Sequence, residues 1–280
     1  MTTTGPSDPE RTIDLLWHGQ HRTSGTDLNL RQIVSAAIEV ADADGLTGLS
    51  MRKVAERLGY TTMALYRHVP GRDHLIDLAQ DAAHGPPPDL PPGGWRTRLE
   101  AAARQGWELR ERHPWLAEIR GTRHPPGPNI VAHYERMLAT LADTGLSASE
   151  VVATAELVGR FVDAEASRLA EAAAVERASG QSEQEWWGAR DSLYAELGRY
   201  PTLQALWEAG GFAPGTDSFE FGLARLLDGI EQLIRSRDKL RDETTRCPVC
   251  DAIVPQPGAG RRRTYCSRAC QQRSYRNRQS

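Results

Sequence analysis

The chain has 280 residues, 25% of them charged and 6% aromatic, enough to bury a sizeable core in one or two domains. No run of 18 apolar residues occurs, and the first residues lack a basic start followed by an apolar core. Neither a membrane span nor a signal peptide is therefore expected, which points to the cytoplasm and to reduced cysteines.

The net charge of −3 hides an asymmetry. From Thr244 to Ser280 there are eight arginines and one acid, Asp251, so this tail is +7 and the first 243 residues are −10. A basic tail of this kind suits an acidic partner, most often nucleic acid.

Residues 1–28 are polar and irregular and predict a mobile arm, with Leu15, Leu16 and Trp17 as a candidate docking patch. Helices are predicted over 29–43, 50–58, 61–68 and 72–84. Ser50 is a good N-cap, and Val54, Ala55 and Leu58 share one face of the helix after it. Gly59 follows where a left-handed C-cap costs glycine little. Thr61 or Thr62 can cap the next helix, whose Leu65 and Val69 lie four apart and face inward. That leaves Thr61, Thr62, Met63, Tyr66 and Arg67 on the outer sides, where they can approach base edges and phosphates. Pro70-Gly71 ends the helix, and Arg72 opens the next one, well placed for a phosphate.

Two short helices, a tight turn and a third helix make the layout of a helix-turn-helix. The stretch GLSMRKVAERLG followed by LYRHV, with Ile33 to Ala41 as a first helix, resembles the DNA-binding domain of the tetracycline-repressor family over residues 10–85. The resemblance implies a DNA face of Arg52, Lys53, Thr61, Thr62, Met63, Tyr66, His68 and Arg72. Thr61, Thr62 and Met63 are the expected base readers; Tyr66 and Arg72 are the expected phosphate contacts. Residues 29–80 hold six basic and six acidic side chains, so this segment has no net positive charge.

GPPPDLPPGG, residues 85–94, cannot be helical and marks a domain boundary. Helical patterns return at 95–112, a short turn at 114–119, and a helix at 129–143. Ser147 to Glu150 is a capping-box pattern opening a long helix to about residue 178. Further helices fit 182–198, 201–209 and 217–240. Strong strand signals are missing, so the fold class is all-α. Trp107, His113, Trp115, His133, Tyr134, Phe161, Trp186 and Trp187 are the candidate pocket residues, although an aromatic on a helix is more often core. The region 95–240 also resembles the regulatory domain of the family, which implies dimerisation through the helices at 149–178 and 217–238 and a pocket for an inducer.

All four cysteines, Cys247, Cys250, Cys266 and Cys270, fall in one segment with the spacing C-x2-C-x15-C-x3-C. Two close pairs of thiolates suit one tetrahedral, structural Zn2+ per chain. CPxC followed by YCSxxC resembles a treble-clef zinc finger, with Ser267 as N-cap of its helix. Four thiolates and one Zn2+ leave the tail at about +5. Arg273, Arg276 and Arg278, with Arg261, Arg262 and Arg263, form a basic surface for phosphate contact or for a protein partner.

The expected organisation is an arm at 1–28, a DNA-binding domain at 29–84, a ligand-binding and dimerisation domain at 95–240, and a four-cysteine zinc module at 244–280. The expected function is that of a homodimeric repressor, not an enzyme. It binds double-stranded DNA at a palindromic operator and is released by a small-molecule inducer. The alternative is an adaptor whose zinc finger recruits another protein.

Overall fold

The computed structural model describes residues 9–19, 28–119, 124–212, 217–255 and 263–277. Arg261, Arg262 and Arg278 of the predicted basic surface lie outside them. The first element is a helix, α1 (Pro9–His18), where an irregular arm was expected. Its Leu15 and Leu16 are buried, and the Trp17 indole donates to the Pro126 carbonyl at 3.3 Å. Burial of the leucine pair against the next helices holds this short segment in helical form.

Then come α2 (Leu30–Gly48), α3 (Met51–Leu58), α4 (Thr62–Tyr66) and α5 (Arg72–His84). Asn29 and Gln32 form a reciprocal capping box at the start of α2. Gly45 interrupts α2 with a φ of +71°, so its last three residues are a separate turn. Ile33, Ala37, Val54, Leu65, Val69 and Leu75 fill the core of this N-terminal unit.

Past the proline-rich linker lie α6 (Trp95–Arg112), a 3-10 turn (Pro114–Glu118), α7 (Pro128–Leu141) and α8 (Ala148–Ser179). The Ser147–Glu150 capping box is present at the start of α8. The predicted helix at 182–198 is two helices, α9 (Glu183–Gly188) and α10 (Asp191–Leu197), parted at Ala189 and Arg190. Next are α11 (Pro201–Glu208) and α12 (Ser218–Thr244). Leu99, Leu141, Val158, Leu223 and Leu227 form a second core cluster. Leu109, Trp115 and Leu116 belong instead to the N-terminal cluster, so the C-terminal end of α6 is where the two regions meet.

The chain ends in α13 (Arg268–Asn277), with a small third cluster of Cys247, Val254 and Cys270. Arg246 and Ile253 pair in an isolated antiparallel bridge, the one β feature among the described residues. No helix among them is long and apolar enough to cross a membrane.

Candidate DNA-reading site and cysteine centre

The reading unit is built from local caps. Ser50 Oγ accepts from Lys53 N–H at 3.2 Å, and Gly59 closes α3 in the left-handed region with a φ of +73°. Thr61 is the N-cap of α4, its Oγ1 accepting from Ala64 N–H at 3.3 Å. Leu65 and Val69 are fully buried and pin α4 against the core. The opposite side is left bare: Met63 is 71% exposed and Tyr66 47%. Thr61 is also exposed, while Thr62 and His68 are half-buried. The α-helix itself is shorter than the predicted 61–68.

The cations nearby are mostly engaged. Arg52 pairs with Glu56 at 2.7 Å, Lys53 with Asp44 at 2.8 Å and Arg57 with Glu39 at 2.5 Å. Arg72 departs from its expected role as a phosphate contact. Its guanidinium donates to the Leu49 carbonyl at 2.8 Å and the Leu46 carbonyl at 2.5 Å. Both carbonyls follow the break at Gly45; Leu46 O also accepts from the Leu49 N–H at 3.3 Å, and Arg72 adds a charged donor to each of the two. Arg67 is exposed and makes no ion pair among the described residues.

A half-open cavity of about 390 Å3 lies between α6, the 3-10 turn and α8. Trp107, Arg110, Glu111, Glu118, Ala166 and Ser167 are among its walls. Of the eight candidate pocket residues, Trp107 alone lines it. Phe161 is placed in the core beside Phe219, with ring centroids 5.7 Å apart, and Trp107 stacks on that same ring at 4.3 Å. Tyr134 sits exposed on α7. Trp115 is 1% exposed and its indole donates to Asp42 Oδ1 at 2.7 Å, so it is a core residue joining two regions and not a pocket wall. His113 is the C-cap of α6, and its Nδ1 contacts the same Asp42 oxygen at 2.7 Å.

The four cysteines converge, their sulfurs all within 4.8 Å of one another. Cys250 to Cys266 is 3.4 Å, Cys266 to Cys270 is 3.6 Å and Cys270 to Cys250 is 3.7 Å. The first pair sits on a tight knuckle. Cys247 N–H donates to Ala252 O and Asp251 N–H to Cys247 O, both at 2.8 Å, and Asp251 takes a φ of +59°. The second pair flanks Ser267, whose Oγ accepts from Cys270 N–H at 3.3 Å and caps α13 as expected. Backbone N–H groups of Cys266, then of Val249 and Cys250, pull the Cys247 thiol down to about 6. Its neighbours Cys250 and Cys270 push Cys266 up to about 12. Sulfurs this close cannot all ionise without a cation among them.

The model for bacterial regulatory proteins of the tetR family matches residues 33–79, and that for the tetracyclin repressor-like C-terminal domain matches residues 87–234. The chain belongs to the tetracycline-repressor family. The HTH-type transcriptional repressor DrrR1 of Streptomyces coeruleorubidus is 41% identical over 245 residues, 84% of this chain and 90% of that protein. Apo ActR from Streptomyces coelicolor superposes with a TM-score of 0.61 at 29% identity, covering 78% of this chain and 100% of its own. ActR in complex with actinorhodin gives a TM-score of 0.60 at 30% identity, over 73% and 96% of the two chains. The chain is thus a ligand-responsive, DNA-binding transcriptional repressor of the tetracycline-repressor type. Both matched spans end before the cysteines.

In a repressor of this family the contacts between helices α2 to α5 and the elements after the linker carry weight, and sequence reading missed them. Besides Asp42, they include Glu118, whose Oε2 accepts from Leu46 N–H at 3.1 Å. Asp77 accepts from His124 at 2.7 Å. Asp81 accepts from Ile130 N–H and Asn129 Nδ2, both at 3.0 Å, and so caps α7. Burial raises both Asp77 and Asp81 above the ordinary carboxylate range, against the hydrogen bonds that lower them. The available signal was two acids, Asp77 and Asp81, four apart inside the apolar run LIDLAQDAA, where unpaired carboxylates are rarely buried.

Proposed function

We propose that a homodimer of this chain reads a palindromic operator through α4 and leaves it when a small molecule occupies the cavity beside Trp107. The observation that carries this reading is the two-sided character of α4: Leu65 and Val69 fully buried, Met63 and Tyr66 bare. Thr61, Thr62 and Met63 face the bases; Tyr66, Arg67 and His68 lie toward the backbone. Arg52 and Lys53 can turn from Glu56 and Asp44 to phosphates, since exposed pairs are worth little. Arg72 supports the head from within. Residues 29–84 read DNA, 95–240 bind inducer and dimerise, and 244–280 form a metal module.

The dimer reading is supported by α8. It buries Ala155, Val158 and Val162 on its own chain yet exposes Val152, Leu157, Leu169 and Val175. Phe221 of α12 is 58% exposed. Helices that are apolar on two faces suit a bundle shared between chains. Glu118 both lines the cavity and holds the Leu46 N–H, so an occupant that engages Glu118 biases the position of the reading head. The relatives include a TetR family protein crystallised with actinorhodin, which supports a small-molecule inducer for this chain.

The cysteines fit Zn2+. A tetrahedral ion with Zn–S bonds of about 2.3 Å sets its sulfurs about 3.8 Å apart, close to the 3.4 to 3.7 Å separations among Cys250, Cys266 and Cys270, with Cys247 within 4.8 Å of them. Cys247, Cys250, Cys266 and Cys270 would fill all four positions, so the ion is structural, one per chain.

Footprinting on the DNA upstream of the chain's own gene tests the repressor reading. A protected palindrome with half-sites one or more turns apart is expected. A protein that is folded and dimeric but protects nothing there would sink it.

A further inference from the structure

The helix-turn-helix has little free positive charge, and most of the chain's excess lies at the other end of the molecule. The direction of α12 shows how far apart they are. Arg104 of α6 pairs with Glu220, near the start of α12, and Arg96 pairs with Asp228 and Glu231, further along it. The two helices therefore run antiparallel. Leu109, toward the C-terminal end of α6, packs in the core of the reading unit. Beyond Glu220, then, α12 leads away from that unit. Its remaining 24 residues to Thr244 span about 36 Å. Arg237 confirms the direction by pairing with Glu150 near the start of α8. The cysteine module begins only there.

On that module, Arg268 and Arg273 of α13 are exposed and make no hydrogen bond or ion pair among the described residues. Cys270, opposite Arg268 on the helix, is buried against the module's core, and Arg273 projects from the flank about 60° away from it. Tyr275 is 66% exposed and lies two turns beyond Arg268 on the same side of the helix. The module as a whole carries an excess of seven arginines over acids in a chain that is otherwise acidic.

We propose that the four-cysteine module is a second nucleic-acid site, gripping the phosphate backbone of a duplex other than the one under α4. A surface of arginines with an exposed tyrosine and almost no acid matches the repeating charge of a phosphate backbone. Arginines spread around one short helix address phosphates and not base edges in the grooves, so the grip is independent of sequence. The separation along α12 keeps it from adding to the contacts of the reading helix in the same subunit. A dimer built this way holds an operator at one end and any neighbouring duplex at the other. This rests on the repressor reading, and the test separates the two.

The full-length protein is bound to an immobilised operator duplex and offered a labelled duplex of random sequence over a range of salt. Operator retention reads the α4 site; capture of the second duplex reads the cysteine module. Wild type is expected to capture the second duplex, with affinity falling as salt rises. The variant R268Q/R273Q is expected to stay on the operator, keep the wild-type metal content and helicity, and lose capture at least tenfold. Its salt slope should fall by about 2, near one unit for each phosphate no longer neutralised. If the protein holds the operator but captures no second duplex, or if R268Q/R273Q captures it as wild type does, the proposal is overturned. An acidic protein surface would then be the partner of these arginines. Failure to hold the operator at all would instead count against the repressor reading.

Discussion

The Trp115 indole donates to Asp42 Oδ1 at 2.7 Å across 73 residues of chain, tying the 3-10 turn after α6 to the middle of α2. Trp115 is 1% exposed, so its indole N–H is a buried donor that the carboxylate satisfies. Asp42→Ala should cost about 1–3 kcal/mol, the range for stranding a buried donor. Asp42→Asn keeps an acceptor oxygen and should cost clearly less. Urea unfolding of both variants checks the order, and equal losses would remove the bond from the account.

Asp81 makes the second tie, and it needs a glycine beside it. A Cβ at Gly127 would lie 2.3 to 2.7 Å from the Asp81 carboxylate. The backbone there is ordinary, with a φ of −84°, so the problem is space alone. Gly127→Ala should destabilise by about 1–3 kcal/mol, as overpacking does. Removing the carboxylate makes room but takes away the acceptor of the Ile130 N–H and one of the two acceptors of Asn129 Nδ2, so Gly127→Ala/Asp81→Ala should lose less than the two single losses added. Simple additivity in thermal melts would contradict the geometry.

Met63 and Arg72 were both assigned to the DNA face from sequence, and their variants should behave oppositely. Met63 is 71% exposed, so Met63→Ala should leave stability within about 0.5 kcal/mol. Its effect should fall on operator affinity, by about 1–3 kcal/mol if it meets a base. Arg72→Ala removes the charged donor to the Leu49 carbonyl and one of the two donors to the Leu46 carbonyl, and should lower stability by about 1–3 kcal/mol. Because Arg72 touches no phosphate in this reading, the salt dependence of operator binding should not change with it. Fluorescence anisotropy across a salt series separates the two cases.

The reading unit was legible because its boundaries are set locally. Ser50, Gly59 and Thr61 each act through their own backbone, and Leu65 and Val69 betray the buried face by spacing alone. The role of Arg72 was not legible, because its partners become available only when Gly45 breaks α2. The helix at Pro9–His18 was missed because its two leucines are too few to announce an amphipathic face before their partners are known. The break between α9 and α10 carries no proline to mark it. Trp115 and Phe161 were read as pocket walls for want of the long-range contacts that make them core. The cysteines gave the opposite case: spacing and chemistry sufficed, and the sulfurs meet.

Metal removal should act locally. The third cluster is small, so a module holding the proposed Zn2+ would depend on it for its fold. Chelation at neutral pH, or Cys247→Ser/Cys250→Ser, should release about one Zn2+ per chain and unfold α13. The expected loss of helix signal is that of its 10 residues alone. The main melting transition should stay in place. A collapse of the whole chain on chelation would show that the module supports the body, contrary to its separate core.

His84 gives the repressor a dependence on pH. Burial, aided by Arg110 and His133 and opposed by the bond to the Gln80 carbonyl and by Asp163, pushes it down to about 4 from an ordinary 6.5. At pH 7 it is neutral in both folded and unfolded chains and contributes nothing. As pH falls below 6.5 the unfolded chain takes up the proton while the folded one does not, so stability is lost until about pH 4. A shift of this size corresponds to at most about 3 kcal/mol. Asp77 and Asp81 oppose it, because carboxylates raised in the fold take up protons earlier there than in the unfolded chain. A direct comparison with His84→Asn removes that contribution, since both carboxylates remain and the amide can still donate to Gln80. The variant should lose less stability than wild type between pH 6.5 and 4, with the gap closing above pH 7. Parallel curves across that window would mean that His84 is protonated in the fold.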